Sequence, residues 1–214
     1  MTSLKLEVNH MKQRIIGITG GIATGKTTVS DYLHRTYGLP ILDADLYARQ
    51  ALTCDRLSKI SDRYGQVIFD EQGKLDRRKL GNIVFASVSD RHWLEELIHP
   101  CVRECLTTEA NRLAPLTVIM VIPLLFEAKM QDLVTETWMI ACDHHQQLQR
   151  LMNRNHLSES EVLQRISSQM SQSEKIKLAD IVIVNSDNTK ELFFQVDNAL
   201  LNSPLGIKLS LATA

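Results

Sequence analysis

The chain has little sulfur chemistry. Its four cysteines, Cys54, Cys101, Cys105 and Cys142, form no C-x-x-C pair and have no partnering histidine at zinc spacing. A zinc module or a dithiol redox motif of that kind is therefore excluded, and the cysteines read as free thiols of a reducing cytosol. Cys101 and Cys105 stand i,i+4 on an expected helix, which leaves a redox pair open beside the plainer reading of burial. Long apolar runs are also missing. The strongest candidate, near 116–126, contains Pro123 and is closed by Glu127, short of the roughly 18 residues of a membrane span. Met1 to His10 carry no signal-peptide pattern. Lys and Arg total 24 against 25 Asp and Glu, a net charge of −1 that gives no general attraction to nucleic acid. Internal repeats and low-complexity tracts are absent. The expectation is a cytoplasmic protein, monomeric or weakly homo-oligomeric, with neither membrane nor nucleic acid as partner.

What is present suits a globule. At 214 residues and 44% hydrophobic content the chain can bury one full core. Residues 1–11 are expected to be a disordered extension, with Met11 as an alternative start, 12–203 the folded domain and 204–214 a flexible tail.

The run Gly20-Gly21-Ile22-Ala23-Thr24-Gly25-Lys26-Thr27 satisfies G-x-x-x-x-G-K-[ST] directly after the apolar Ile15-Ile16-Gly17-Ile18. Glycines let the backbone curl so that successive N–H groups face inward, and the helix starting near Lys26 adds the positive end of its dipole. A glycine-rich strand-to-helix turn is the plain alternative. Val29 and Leu33, four apart on the following helix, favour the phosphate loop. Candidate nucleotide contacts are Gly21, Ile22, Ala23, Thr24, Gly25, Lys26, Thr27 and Thr28. Lys26 is expected to bridge the β- and γ-phosphates of ATP and the Thr27 hydroxyl to hold Mg²⁺.

Apolar segments recur at 14–19, 39–42, 116–122, 136–141 and 180–184. They are mostly short, β-branched and continuous, as in strands covered on both faces of a parallel sheet. Helices fit between them at about 26–36, 46–64, 76–86, 89–113, 144–153, 158–177 and 188–201. The alternation predicts an α/β fold, a doubly wound parallel five-stranded sheet. Two helical stretches look inserted: about 54–113, suited to covering a phosphate acceptor, and a polar hairpin at about 144–177, suited to a lid over ATP. The hairpin carries Arg150, Arg154, Arg165, Lys175 and Lys177. Ligands in such sheets sit at the carboxyl ends of the strands. Those ends deliver the phosphate loop, Asp43-Ala44-Asp45 and Pro123-Leu124-Leu125-Phe126-Glu127.

An Asp after the second strand can orient an acceptor hydroxyl and take its proton. It can equally cap the helix that follows. Arg49, one turn beyond Asp45, reads as an acceptor contact or a solvated arginine. His99-Pro100 predicts a helix break or kink, with His99 as an orienting residue or an ordinary hydrogen-bonded histidine.

Taken in order, these residues resemble the dephospho-CoA kinase family of the P-loop nucleotide-kinase group. The resemblance runs from about Arg14 to near Leu201. It rests on Ile18 to Thr27, Asp43-Ala44-Asp45 with Arg49, Gly73-Lys74-Leu75-Asp76-Arg77 with Leu80, His99-Pro100 with Arg103, Pro123 to Glu127, and Gln169, Lys175, Ala179-Asp180 and Asn185. It implies transfer of the ATP γ-phosphate, with Mg²⁺, to the ribose 3′-hydroxyl of dephospho-CoA. By that likeness Asp45 is the general base, assisted by Lys26. A kinase without an outside activator must supply its own cations; Arg150, Arg154 and Arg165 are the candidates, with Arg150 cast as catalytic and Arg154 as an ATP contact. Asp43, Arg49, His99, Arg103, Leu124 and Glu127 become acceptor-binding candidates, with a water-mediated magnesium role also open to Asp43. One departure stands out: many family members carry an Asp two residues before the Pro-Leu-Leu segment, where this chain has Val121. Mg²⁺ would then depend on Thr27, the phosphates, water and Asp43 or Glu127.

Two rivals remain at this stage. A kinase for another small alcohol or nucleotide would share the loop and an Asp after strand two, without the rest of the series. A nucleotide switch would need [NT]-K-x-D for guanine, and Thr189-Lys190-Glu191-Leu192 has Leu where that Asp belongs.

Overall fold

A computed structural model describes residues 13–52, 55–114, 117–185 and 188–202. The expected extension at 1–11, the tail at 204–214 and Cys54 lie outside the described residues. Five strands, β1 (Ile15–Thr19), β2 (Ile41–Asp43), β3 (Val118–Val121), β4 (Glu136–Ala141) and β5 (Ile181–Val184), form one sheet in the order β2-β3-β1-β4-β5. Every pairing is parallel. Parallel strands require crossovers, and helices supply them on both faces.

Alternation along the strands decides which helix each face receives. Ile16, Ile18, Ile119, Val121, Trp138 and Ile140 pack with Val29 and Leu33 of α1 (Lys26–Tyr37) and with Leu192, Val196 and Leu200 of α9 (Thr189–Asn202). Val118 and Met120 turn the other way, against α2 (Ala44–Ala51) and α5 (Val88–Arg112). A buried Arg14–Glu136 ion pair, with Arg14 also donating to the Leu200 carbonyl, ties the start of β1 to β4 and to the end of α9.

The segment expected as one helix over 46–64 is two, α2 and α3 (Asp55–Tyr64). They bury into different places: Ala44 and Ala51 join the sheet-side core, while Ile60 packs with Ile68 and with Leu80 of α4 (Arg77–Ala86) in a separate cluster. The break expected at Pro100 does not occur, and α5 continues through it as one helix. Proline in a helix interior costs about 3 kcal/mol. Ile98, Val102 and Leu106 form a buried stripe four residues apart, and at ~1.5–3 kcal/mol per buried side chain that stripe outweighs the lost bond.

Beyond β4 come α6 (His144–Asn155), α7 (Glu159–Ser167) and α8 (Gln172–Leu178). The helix expected over 158–177 is interrupted because Ser171 and Glu174 form a capping box that starts a new helix, as Ser158 and Glu161 do for α7. Among the described residues no helix is long and apolar enough to cross a membrane. The described cysteines, Cys101, Cys105 and Cys142, are free thiols; Cys142 is buried and the other two half-buried.

Candidate active site

β1 leads to its helix at α1 and then to β2 on one side, whereas β3 leads to β4 on the other. The carboxyl ends of β1 and β3 therefore flank the point where the connections diverge, which is where doubly wound sheets bind ligands. Two clefts open there. One, of about 670 Å³, is lined by Ile22, Ala23, Gly25, Lys26, Thr27 and Thr28, with Arg150, Arg154, Asn185 and Thr189. The other, of about 580 Å³, runs between α2, α5 and the segment after β3. Asp45, Pro123, Leu124 and Gln169 line both.

The phosphate loop keeps its shape through backbone that only glycine tolerates. Gly25 has φ 104°, and a Cβ there would stand 2.0 Å from the Asn185 amide nitrogen, which donates to the Thr24 carbonyl. At Gly20, φ 153°, a Cβ would meet the Ile140 carbonyl at 2.5 Å. Gly21 and Thr24 are buried beneath the loop, with the Thr24 hydroxyl donating to the Gly21 carbonyl at 3.0 Å. Lys26 Nζ folds over the loop and donates to the carbonyls of Gly20 and Gly21. Burial, then the neighbouring Lys175 charge, lowers its pKa to about 8 against the opposing pull of Asp45 and Glu127.

Three glutamines hold the tip of this loop. Gln147 on α6 donates to the Ile22 carbonyl (2.8 Å), and Gln169, in the link between α7 and α8, accepts the Ile22 N–H (2.9 Å). Gln172 donates to Gln147 (3.0 Å) and pairs with both backbone groups of Cys142. Arg150 donates to the Asn185 carbonyl at 3.4 Å, and Arg154 bonds the Asn155 side chain. Arg165 lines neither cleft.

The acidic pair divides its labour. Asp43 is the N-cap of α2, its carboxylate accepting the Asp45 N–H at 2.9 Å, and it lines neither cleft. The Asp45 carboxyl is raised above its ordinary value by desolvation and then by the Asp43 charge, with Lys26 and Arg49 opposing. Arg49 is exposed and lines neither cleft; its charge acts on Asp45 and its carbonyl accepts from Arg77.

The second cleft has a mostly apolar wall of Ala44, Ala48, Val84, Leu94, Ile98 and Met130, with Leu124 at the shared edge. Polar groups gather on one stripe of α5: Arg91, His92, Glu95 and His99. Burial and the Arg103 charge lower the His99 pKa, against Glu95. Arg103 itself points elsewhere, donating to Asp132 (2.6 Å) and the Lys129 carbonyl (2.8 Å), and lines neither cleft. Glu127 lines this cleft; its Oε1 accepts from Lys175 Nζ (2.8 Å) and the Met170 N–H (3.1 Å), while its buried Oε2 has no hydrogen-bond partner.

Lys175 is not on a solvated lid face. It is fully buried, and it also donates to the Pro123 carbonyl at 2.9 Å. Thus α8 is pinned to the segment after β3, and among the described residues Glu127 and Pro123 make that burial tolerable. Sequence reasoning assigned no function to Gln147, Gln172 or Arg91, and noted Gln169, Lys175 and Asn185 without a role. The second [ST]-x-x-[DE] box at Ser171 was the available signal that the chain turns at Gln169.

A metal would find few acidic ligands. Among the described residues no group of three or more His, Cys, Asp or Glu is placed to hold one. Val121, paired with Ile18 and Asp43 across the sheet, is buried and brings no carboxylate to the strand end.

Comparison with known proteins identifies the family and the fold. The family model for dephospho-CoA kinase matches residues 14–191. A dephospho-CoA kinase of Trichormus variabilis is 52% identical over 193 residues, 89% of this chain and 98% of that protein. One of Synechocystis sp. is 50% identical, covering 91% and 98% respectively. Among solved structures, TT1252 from Thermus thermophilus superposes with a TM-score of 0.78 at 37% identity, over 89% of this chain and 97% of that one. The dephospho-CoA kinase from Campylobacter jejuni superposes with a TM-score of 0.65 at 27% identity, over 86% and 94%. With a family match across most of its length and relatives at half identity, this chain belongs to the dephospho-CoA kinase family.

Proposed function

We propose that the chain transfers the γ-phosphoryl group of ATP to the ribose 3′-hydroxyl of dephospho-CoA, giving coenzyme A and ADP. Family membership supports the reaction, and one observation supports the site: Asp45 lines both the phosphate-loop cleft and its neighbour. ATP occupies the first cleft, with the backbone amides of Ala23 to Thr28 and the Lys26 ammonium around its phosphates. The acceptor occupies the second, its apolar arm along Ala48, Val84, Leu94 and Met130. His99 and Glu127, both on the wall of that cleft, offer polar contacts to the acceptor's sugar and base.

Asp45 orients the 3′-hydroxyl and accepts its proton. Its raised pKa makes it a better base than an ordinary aspartate, although in a loose transition state orientation counts for more. Lys26, Arg150 and Arg154 supply the positive charge that the transferring group needs. Mg²⁺ would be held by the Thr27 hydroxyl, the nucleotide's own phosphates and water, since Val121 offers no oxygen; when bound it neutralises phosphate charge. Asp43 acts as a helix cap that shapes the Asp45 backbone, and Arg49 tunes the Asp45 charge. The enzyme is read as cytoplasmic, monomeric or weakly homo-oligomeric, with α6 and α7 as the part that closes over ATP.

A coupled ADP assay with Mg-ATP against dephospho-CoA, adenosine, AMP, shikimate and gluconate tests the proposal. ADP release that depends on dephospho-CoA above the other acceptors is expected. Release without any acceptor, or a stronger response to shikimate or gluconate, refutes it.

A further inference from the structure

Phosphoryl transfer between two adjoining sites happens where they meet. Of the four residues that line both clefts, Pro123 and Leu124 bring apolar side chains and Asp45 a carboxylate that accepts. Gln169 is the fourth, and of these side chains it alone can donate a hydrogen bond.

The orientation of its amide follows from chemistry. The Ile22 N–H can be received only by the amide oxygen, and Gln169 Oε1 lies 2.9 Å from it. The NH₂ group is thus turned away from Ile22 and has no hydrogen-bond partner among the described residues. The backbone carrying it is fixed on either side. Gln169 N–H donates to the Ile166 carbonyl, Met170 N–H donates to Glu127, and Ser171 starts α8 with its capping box. A side chain held at its oxygen, on a pinned link, at the junction of two clefts is preorganised to meet charge that develops there.

We propose that Gln169 is a catalytic residue of the transfer, its Nε2 donating to a non-bridging oxygen of the phosphoryl group in flight; this rests on the reading of the site given above. In that step the bond from the γ-phosphorus to the β–γ bridging oxygen breaks, leaving its electron pair on ADP. A new bond forms to the acceptor oxygen, whose proton passes to Asp45. Gln169 exchanges no atoms. It shares the junction with Asp45, one donating to the phosphoryl oxygens and the other accepting from the nucleophile.

Gln169→Met and Gln169→Glu separate this role from simple bracing of the loop. The glutamate keeps an oxygen for the Ile22 N–H and loses the donor; the methionine loses both. Steady-state kinetics with Mg-ATP and dephospho-CoA, beside the parent and with melting temperatures recorded, are expected to show kcat down ~10²- to 10³-fold in both variants, the loss typical of one donor aimed at developing charge. The dephospho-CoA KM should stay within about threefold of the parent's in both variants, as for an interaction made only in the transition state, while the ATP KM rises in both, through the lost Ile22 brace in the methionine variant and the added carboxylate charge in the glutamate variant. If the methionine variant fails to fold, the glutamate variant alone decides. A Q169E enzyme with parental kcat, or one changed only in its ATP KM, overturns the proposal while transfer by the parent stands. A parent that releases no ADP with dephospho-CoA overturns both the transfer reading and this role.

Discussion

Lys175→Met tests the least expected feature of the site. The wild-type ammonium is fully buried between the Pro123 carbonyl and Glu127, whose side chain is 23% exposed. Methionine preserves the stem and removes the charge, so Glu127 keeps only the Met170 N–H on Oε1 and nothing on Oε2. Breaking a buried pair costs ~3–5 kcal/mol. The partial exposure of Glu127 puts this case near the lower end, about 3 kcal/mol, or roughly 6–12 °C in Tm for a domain of this size. The double variant K175M/E127Q leaves no orphaned charge and should recover part of that loss, a coupling on the order of 1–2 kcal/mol. There is a second readout. Lys175 is the leading charge lowering the Lys26 pKa to about 8, so its removal should move the alkaline limb of kcat/KM for ATP to higher pH. Thermal melts of the parent, both single variants and the double, with pH profiles of the parent and K175M, complete the experiment. A Tm within 2 °C of the parent, at the size expected for surface changes (about ±0.5 kcal/mol), would refute the reasoning.

Three further outcomes are expected. In the parent, kcat/KM for ATP should fall as pH rises through about 8, because the free enzyme's Lys26 loses its charge there; a plateau to pH 10, near the ordinary lysine value of 10.5, would disconnect Lys26 from the phosphates. Asp45→Asn keeps the shape of the cleft junction and removes its base, so ATP binding by calorimetry should persist while transfer drops by ~10²-fold or more; equal turnover would remove Asp45 from the mechanism. Gly25→Ala sets a methyl 2.0 Å from the Asn185 amide at φ 104° and should weaken ATP binding together with stability; a variant with parental ATP affinity would contradict the described loop geometry.

Local chemistry explains what could be read directly. The phosphate loop depends on consecutive glycines with a lysine and a threonine, and its glycine requirement is visible in the backbone angles that Gly20 and Gly25 adopt. Strand burial was legible because continuous β-branched runs suit a sheet covered on both faces. Helix boundaries were less so. Pro100 is a local helix-breaking signal that the buried Ile98, Val102 and Leu106 stripe overrides, and the periodicity shared by α7 and α8 hides the cap that Ser171 gives the second. Among the site candidates, Lys26, Thr27, Asp45, Arg150, Arg154, His99, Leu124 and Glu127 line the clefts, whereas Asp43 caps a helix and Arg49 and Arg103 lie outside.

By itself the sequence determined the nucleotide cradle, the parallel sheet and the carboxylates brought to its edge, because each follows from neighbours within a few positions. Tertiary structure alone decided the joining of the two clefts at Asp45, the burial of Lys175 against Glu127, and the hold that Gln147 and Gln169 keep on Ile22. Those last two partners lie 125 and 147 positions from Ile22. A glutamine or lysine so far away carries no local mark of its partner, since only the crossing of the chain over the sheet creates the contact and the desolvation that give it a role.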